Sequence, residues 1–178
     1  MRYPASRLLR IMILFLLIAS FSVHAPLAAE AASAREIDIN VDATIAEFKQ
    51  KVKGGEAFMQ GAEGVLVFPR VYKAGMGIGG EYGEGALLVG GKTVDYYSTA
   101  AGSIGFQLGA QRKSVVIVFM TSEALTRFRD SKGWKAGVDG SVAIVTLGIG
   151  GSIDTDKVTQ PVVGFILDQK GLMYNLTL

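Results

Sequence analysis

The sequence contains no cysteine and a single histidine, His24, in 178 residues. Without cysteine the chain has no disulfide, no thiolate zinc site and no cysteine nucleophile. His24 lies in an N-terminal segment that we expect to be removed, so the mature protein has no imidazole to act as a general base or a metal ligand. These absences make an enzyme the least favoured class. They predict a protein with no catalytic residues, no cofactor and no metal site.

The N-terminal residues have the three-part pattern of a secretory signal peptide. Three arginines precede an apolar run over 11–18, which is about half of the roughly 20 residues that a bilayer span needs. Small residues over 25–34 follow and contain Ala-x-Ala cleavage motifs. We predict a signal peptide over 1–31, cleaved somewhere in 25–34, and an exported protein, periplasmic or secreted, that can lie peripherally on a membrane. The alternative is an uncleaved N-terminal anchor.

Removal of the signal peptide changes the charge balance. The full sequence has 18 basic and 16 acidic residues, and cleavage after Ala31 removes three arginines and Glu30. Basic and acidic residues are then equal in number. Nucleic-acid-binding domains usually carry a clear basic excess. We therefore expect no nucleic-acid partner, and we expect anion binding only at local basic patches.

Glycine divides the remaining chain into two segments. All 23 glycines lie between Gly54 and Gly171. From Gly61 onward, short runs of β-branched and aromatic residues alternate with glycine-containing turns, which is typical of strands. We therefore predict an N-terminal helical segment over 32–60 and a β-rich core over 61–178.

The helical segment carries one apolar stripe. Four apolar residues are spaced by 4, 3 and 4 positions, which is helical periodicity. These are Val41, Ile45, Phe48 and Val52. The spacing predicts a helix over 40–53 that is capped by Asn40 or Asp42. A further helical turn is expected over 56–60.

The core combines several strands with one inserted helix. The predicted strands are 65–68, 73–82, 86–89, 93–111, 114–120, 138–149, 160–167 and 172–178. The inserted helix is expected to begin at Ser122 as N-cap and to pack through Ala124, Leu125 and Phe128. Glycines alternate on one strand face over 75–79, which is typical of bulges and tight curvature. The predicted fold is α+β, with a Gly-rich, strongly curved antiparallel β-sheet or small barrel, an N-terminal amphipathic helix and one inserted helix.

Nucleotide-binding and acid–base motifs are weak. Residues 75–80 match G-x-G-x-x-G, but the glycine-rich continuation is not a helix, so the context of a phosphate site is missing. Glu81 and Glu84 fall on opposite faces of a strand, so they do not form an acid–base pair. Both features are interpreted as structural.

Two basic clusters are candidate membrane contacts. Lys49, Lys51 and Lys53 flank the apolar stripe, so the helix could lie on an anionic membrane with Phe48 inserted. The second cluster surrounds the single tryptophan and consists of Arg127, Arg129, Lys132, Trp134 and Lys135. Each has a structural alternative. The helix could instead dock on its own core, and the tryptophan could pack in a charged turn.

Several longer strings resemble the SYLF domain family. They are GVLVFP at 64–69, GEYGEG at 80–85, YYS at 96–98, FMT at 119–121 and FRDSKGW at 128–134. The resemblance runs from about Asp42 to Leu178. It implies a non-enzymatic lipid-binding module, because eukaryotic members recognise phosphoinositides and yeast-type members also bind and bundle actin. It also implies a membrane contact at an amphipathic N-terminal segment, here Asp42 to Lys53.

These observations predict an exported SYLF-type protein that reversibly binds anionic phospholipid or phosphoinositide headgroups. Phe48 is expected to insert, and the three lysines beside it are expected to contact headgroups. The alternative is an envelope scaffold or protein-interaction module, with a surface like the actin-binding one of eukaryotic relatives. In that case the glycine-flattened faces or Trp134 would dock a protein partner.

Overall fold

The computed structural model describes residues 26–131, 142–146 and 160–175. Its elements, in chain order, are α1 (Pro26–Lys51), α2 (Gly55–Gly61), β1 (Gly64–Val89), β2 (Lys92–Phe119), α3 (Ser122–Asp130), β3 (Val142–Thr146) and β4 (Val162–Asn175). The chain divides into two units, 1–35 and 36–178, and the fold described below is that of the second. Within the described ranges, no helix combines the length and the apolar character that crossing a bilayer requires.

The strands form one open, mixed sheet. β1 and β2 make a long antiparallel hairpin whose turn glycines, Gly90 and Gly91, both have positive φ, as a two-residue hairpin turn requires. β4 pairs antiparallel with β2 and parallel with β3, which gives the order β1-β2-β4-β3. The predicted α+β fold with a curved sheet is confirmed, in its open form over the described residues. The parallel β3–β4 pair was not predicted.

The two long strands join segments that the sequence predicted separately. The ladder between β1 and β2 is irregular between Phe68 and Val71 and again between Met76 and Ile78. The first irregularity falls at Pro69, whose missing N–H interrupts a ladder without ending the strand. The predicted breaks near Pro69 and Lys113 are therefore bulges within β1 and β2, because the pairing resumes beyond them.

Helices cover both faces of the sheet. Side chains of α1 and α2 pack with Val65 and Val67 on one face, and α3 packs with Leu66 and Phe68 on the other. Successive side chains of β1 point to opposite faces of the sheet, so this strand contributes to both cores. Residues 116–119 of β2 are buried, which explains why their apolar run is continuous rather than alternating.

Two helix boundaries differ from the predictions. α1 begins at Pro26, so Asn40 lies inside it and donates a hydrogen bond to the Glu36 carbonyl instead of capping the helix. α3 is capped by Thr121, whose hydroxyl accepts from the Ala124 N–H at 3.2 Å, so the expected Ser122 cap was wrong by one position. The packing face of α3 is confirmed, since Leu125 and Phe128 are buried.

β1 coils so tightly that its two ends touch. A Cβ at Gly85 would overlap the Val67 carbonyl oxygen, and a Cβ at Gly83 would lie 2.8 Å from the Arg70 carbonyl oxygen. On the same concave side, Lys113 Nζ lies 3.0 Å from Glu81 Oε1, and both side chains are largely buried. The glycines therefore permit the curvature that the sequence predicted.

Candidate functional site

The apolar stripe of α1 lies in the protein core. Val41, Phe48 and Val52 are buried, and the Phe48 ring meets the Phe165 ring edge-on with 4.9 Å between centroids. The expectation that Phe48 inserts into lipid therefore needs correction for this docked conformation, because its side chain has no exposed surface. Of the two alternatives for this helix, the structure shows docking on the core.

The three lysines at the end of α1 are exposed, but two of them have acidic partners. Lys49 Nζ lies 3.1 Å from Glu56 Oε2, and Lys51 contacts Glu47 one turn earlier in the helix. Lys53 is exposed and has no ion pair within the described ranges. Lysines in the last turn also suit the helix dipole. Lys49 and Lys51 thus have a structural role in addition to any role in binding.

A fourth lysine joins this group from β4. Lys51 Nζ donates to Asp168 Oδ1 at 2.7 Å, and Lys170 Nζ approaches Asp168 Oδ2 at 3.4 Å. We call Lys49, Lys51, Lys53 and Lys170 the lysine cluster. Its positive charges are partly offset by the three carboxylates of Glu47, Glu56 and Asp168, so its net charge is small.

Asp168 connects the two elements of the cluster. Its backbone is left-handed, with φ of 51°, a conformation that aspartate and asparagine tolerate better than most residues. The hydrogen bond from Lys51 is the main reason that the pKa of the Asp168 carboxyl falls to about 2. The same bond is the main cause of the raised pKa of Lys51. The pair therefore fastens the end of α1 to β4.

Asp168→Asn should lower the free energy of unfolding by about 1 kcal/mol at neutral pH, a modest value because Lys51 is half exposed. Asparagine keeps the left-handed backbone, so the change removes mainly charge. Because folding lowers this pKa, the stabilisation is complete above the usual carboxyl range and is lost as pH falls through about 2. Urea unfolding of both proteins from pH 7 to pH 2 measures this.

The control for that prediction is Asp42→Asn, an exposed carboxylate on α1 with no ion pair in the described ranges. It should change stability by only a few tenths of a kcal/mol. A difference between wild type and Asp168→Asn that stays constant down to pH 2 would show that the carboxylate charge is not what fastens the helix.

The basic surface of the lysine cluster continues along the sheet to an apolar surface. Lys170 pairs with Arg112 of β2, and Arg112 pairs with Tyr72 of β1. Directly opposed residues share one face of a sheet, so these three side chains form a row on the convex face. Beyond the opposed residues Ala74 and Ala110, Met76 and Leu108 are opposed and strongly exposed.

This apolar convex face was missed in the sequence. The signal was present, because glycines occupy 75, 77 and 79 while larger apolar residues occupy 76 and 78. Such alternation usually indicates that the apolar side chains point to the core. Here the glycine side faces inward, because the bend is too tight for a side chain at Gly75, where a Cβ would lie 2.7 Å from the Gly79 Cα.

The described part of the second basic cluster has acidic neighbours. Arg127 pairs with Glu123 on the same helix, and Arg129 lines an open cavity of about 390 Å³ together with Asp95, Tyr97, Thr126 and Asp130. Two aspartates in that lining offset the arginine. Burial raises the pKa of the Tyr97 hydroxyl. Lys132, Trp134 and Lys135 lie outside the described residues.

The carboxylates considered for catalysis have structural partners. Glu81 pairs with Lys113, and Glu84 accepts a hydrogen bond of 2.8 Å from the Tyr82 hydroxyl. Among the residues that the structure describes, no three acidic, histidine or cysteine side chains are grouped closely enough to hold a metal ion.

Comparison with known proteins finds a family that the C-terminal part of the chain resembles. A family model described as Ysc84, Las17-binding protein actin regulator, matches residues 100–178, which include α3, β3, β4 and most of β2. No curated protein matches the chain. Two of the SYLF-like strings, at 119–121 and 128–134, lie inside the matched segment. Residues 100–178 are therefore similar to the Ysc84 (SYLF) family.

Proposed function

We propose that the chain is an exported, non-enzymatic SYLF-family module that reversibly binds anionic phospholipid headgroups at the lysine cluster. The observation that carries this proposal is that Lys51 of α1 and Lys170 of β4 both contact Asp168, while Lys49 and Lys53 lie within two residues of Lys51 in the sequence. The similarity of residues 100–178 to the Ysc84 (SYLF) family supports a lipid- or actin-binding type of module. The N-terminal arginines and apolar run support export.

The charges at this site imply weak binding. A lysine near an anionic membrane contributes about 1 kcal/mol, and Glu47, Glu56 and Asp168 offset part of that attraction. The electrostatic part of the affinity should also fall with salt, because the screening length is only about 8 Å at physiological ionic strength. Stable attachment therefore needs an apolar contribution as well.

The test is co-sedimentation of the purified chain with phosphatidylcholine vesicles and with vesicles that also contain phosphatidylglycerol, at low and physiological salt. The chain should bind the anionic vesicles, and salt should weaken the binding. The variant Lys49→Gln, Lys53→Gln, Lys170→Gln should bind about tenfold or more weakly, given the loss of three charges. It spares Lys51, which fastens α1 to β4.

Lys92→Gln is the matched control, because Lys92 is an exposed lysine at the hairpin turn. It should bind within about twofold of wild type, since a single distant lysine contributes little. Equal binding of wild type and the triple variant would refute the lysine cluster as the headgroup site.

A protein-interaction role is the second candidate function. It is favoured by the description of the matched family as a Las17-binding actin regulator. An envelope scaffold of this kind should not bind vesicles of any composition. Absence of vesicle binding by a chain shown to be folded would therefore favour it over the lipid-binding proposal.

A further inference from the structure

The convex face of the β1–β2 hairpin exposes large apolar side chains. The exposed fractions are 81% for Met76, 75% for Ile78 and 57% for Leu108. Tyr72 and Tyr82, also about half exposed, lie on β1 on either side of them. Single exposed apolar residues are ordinary, but several on one face of a strand pair mark a contact surface.

The hairpin bend makes these side chains protrude. A Cβ at Gly75 would lie 2.7 Å from the Gly79 Cα, so β1 folds sharply between those two glycines. The ladder with β2 is irregular at the same place, between Met76 and Ile78. Because the glycines occupy the inside of the bend, Met76 and Ile78 are on its outside, and folding of the described chain leaves them exposed.

The apolar face is uncharged, and a basic row borders it. No residue of 74–80 or 100–111 is charged, so both strands are neutral on this part of the hairpin. At one border stands the row of Tyr72, Arg112 and Lys170, and Lys170 leads through Asp168 to Lys51. The apolar face is thus continuous with the lysine cluster.

We propose that this convex face is the surface by which the protein inserts into an anionic phospholipid bilayer. Met76, Ile78 and Leu108 enter the apolar region, and Arg112 and Lys170 contact headgroup phosphates. Tyrosine beside them suits the interface, because its ring is apolar and its hydroxyl is polar. The inference rests on the proposed function. It assigns insertion into the bilayer to the convex face, because Phe48 is buried and does not insert in this conformation.

The charge of the basic row favours an anionic membrane over a second copy of the chain. The row that flanks the apolar side chains contains two cations and no carboxylate, which complements a surface of phosphates. A second copy of the chain would offer the same basic row. The acid on the other side of the apolar residues, Glu84 of β1, already accepts a hydrogen bond from Tyr82.

The test compares Met76→Ser, Ile78→Ser with Ile39→Ser, Val94→Ser in co-sedimentation with phosphatidylcholine–phosphatidylglycerol vesicles. The control residues are also exposed, 61% for Ile39 and 47% for Val94, but lie on α1 and near the hairpin turn. The first variant should lose at least about tenfold in binding, because two large apolar groups no longer leave water. The control should bind within about twofold of wild type. Both should keep the unfolding midpoint of wild type.

Each other outcome has a distinct meaning. If wild type binds and the Lys49, Lys53, Lys170 variant does not, but Met76→Ser, Ile78→Ser binds as wild type, the insertion surface is wrong while the proposed function stands. If wild type does not bind any vesicle, both fail. If wild type is a dimer that Met76→Ser, Ile78→Ser converts to a monomer without a change in vesicle binding, the face is an interface between copies and the proposal is overturned.

Discussion

Replacement of Gly85 by alanine is expected to abolish folding or to lower the free energy of unfolding by about 3 kcal/mol or more. The added methyl group would overlap the Val67 carbonyl oxygen and lie 2.7 Å from Phe68 Cδ1. Those atoms belong to the opposite end of the same strand, so no side-chain rotation relieves the clash. Urea unfolding followed by circular dichroism measures the effect.

Gly80→Ala is the control for Gly85→Ala. A Cβ at Gly80 would meet nothing within 4 Å, and alanine restricts the unfolded chain more than glycine does. Its stability should therefore stay within about 1 kcal/mol of wild type. If the two alanine variants were equally stable, the two ends of β1 would not approach each other as described.

Phe48→Ala is expected to lower the free energy of unfolding by about 3–5 kcal/mol. The ring is fully buried and packs edge-on against Phe165, so truncation removes apolar contacts and leaves a cavity. Thermal or urea unfolding of the purified variant measures the loss. Ile39→Ala, on the exposed side of the same helix, should change stability by less than about 1 kcal/mol.

This substitution separates the two interpretations of the α1 stripe. If Phe48 served only as a membrane wedge, alanine would weaken vesicle binding and leave stability unchanged. The docked conformation predicts instead that alanine lowers the free energy of unfolding. An unfolding curve identical to that of wild type would contradict the placement of Phe48 in the core.

The periodicity of α1 predicted which residues are apolar on one face, but not what that face contacts. The spacing of Val41 and Phe48 would be the same on a helix that lies on lipid and on a helix that packs against a sheet. Only the complementary surface decides, and here it includes Phe165 of β4. The helical stripe was therefore predictable, whereas its docking was not.

The curvature of the sheet could be predicted because glycines along one face of a strand allow another part of the backbone to approach closely. The polar connections could not, since Lys51 and Asp168 are 117 positions apart and their charges carry no signal of pairing. The exposure of Met76 and Ile78 could not be predicted either. Period-2 alternation predicts that one face is apolar, and it does not indicate which face is concave.

The most direct test of the membrane contact uses the absence of cysteine from the chain. An environment-sensitive fluorophore is attached to Met76→Cys in one protein and to Ile39→Cys in another, and phosphatidylcholine–phosphatidylglycerol vesicles are added. Both residues are exposed in the free protein. The fluorescence of the label at 76 is expected to brighten and shift to the blue, while that of the label at 39 does not change. A response at 39 without one at 76 would place the contact on α1 and contradict the account.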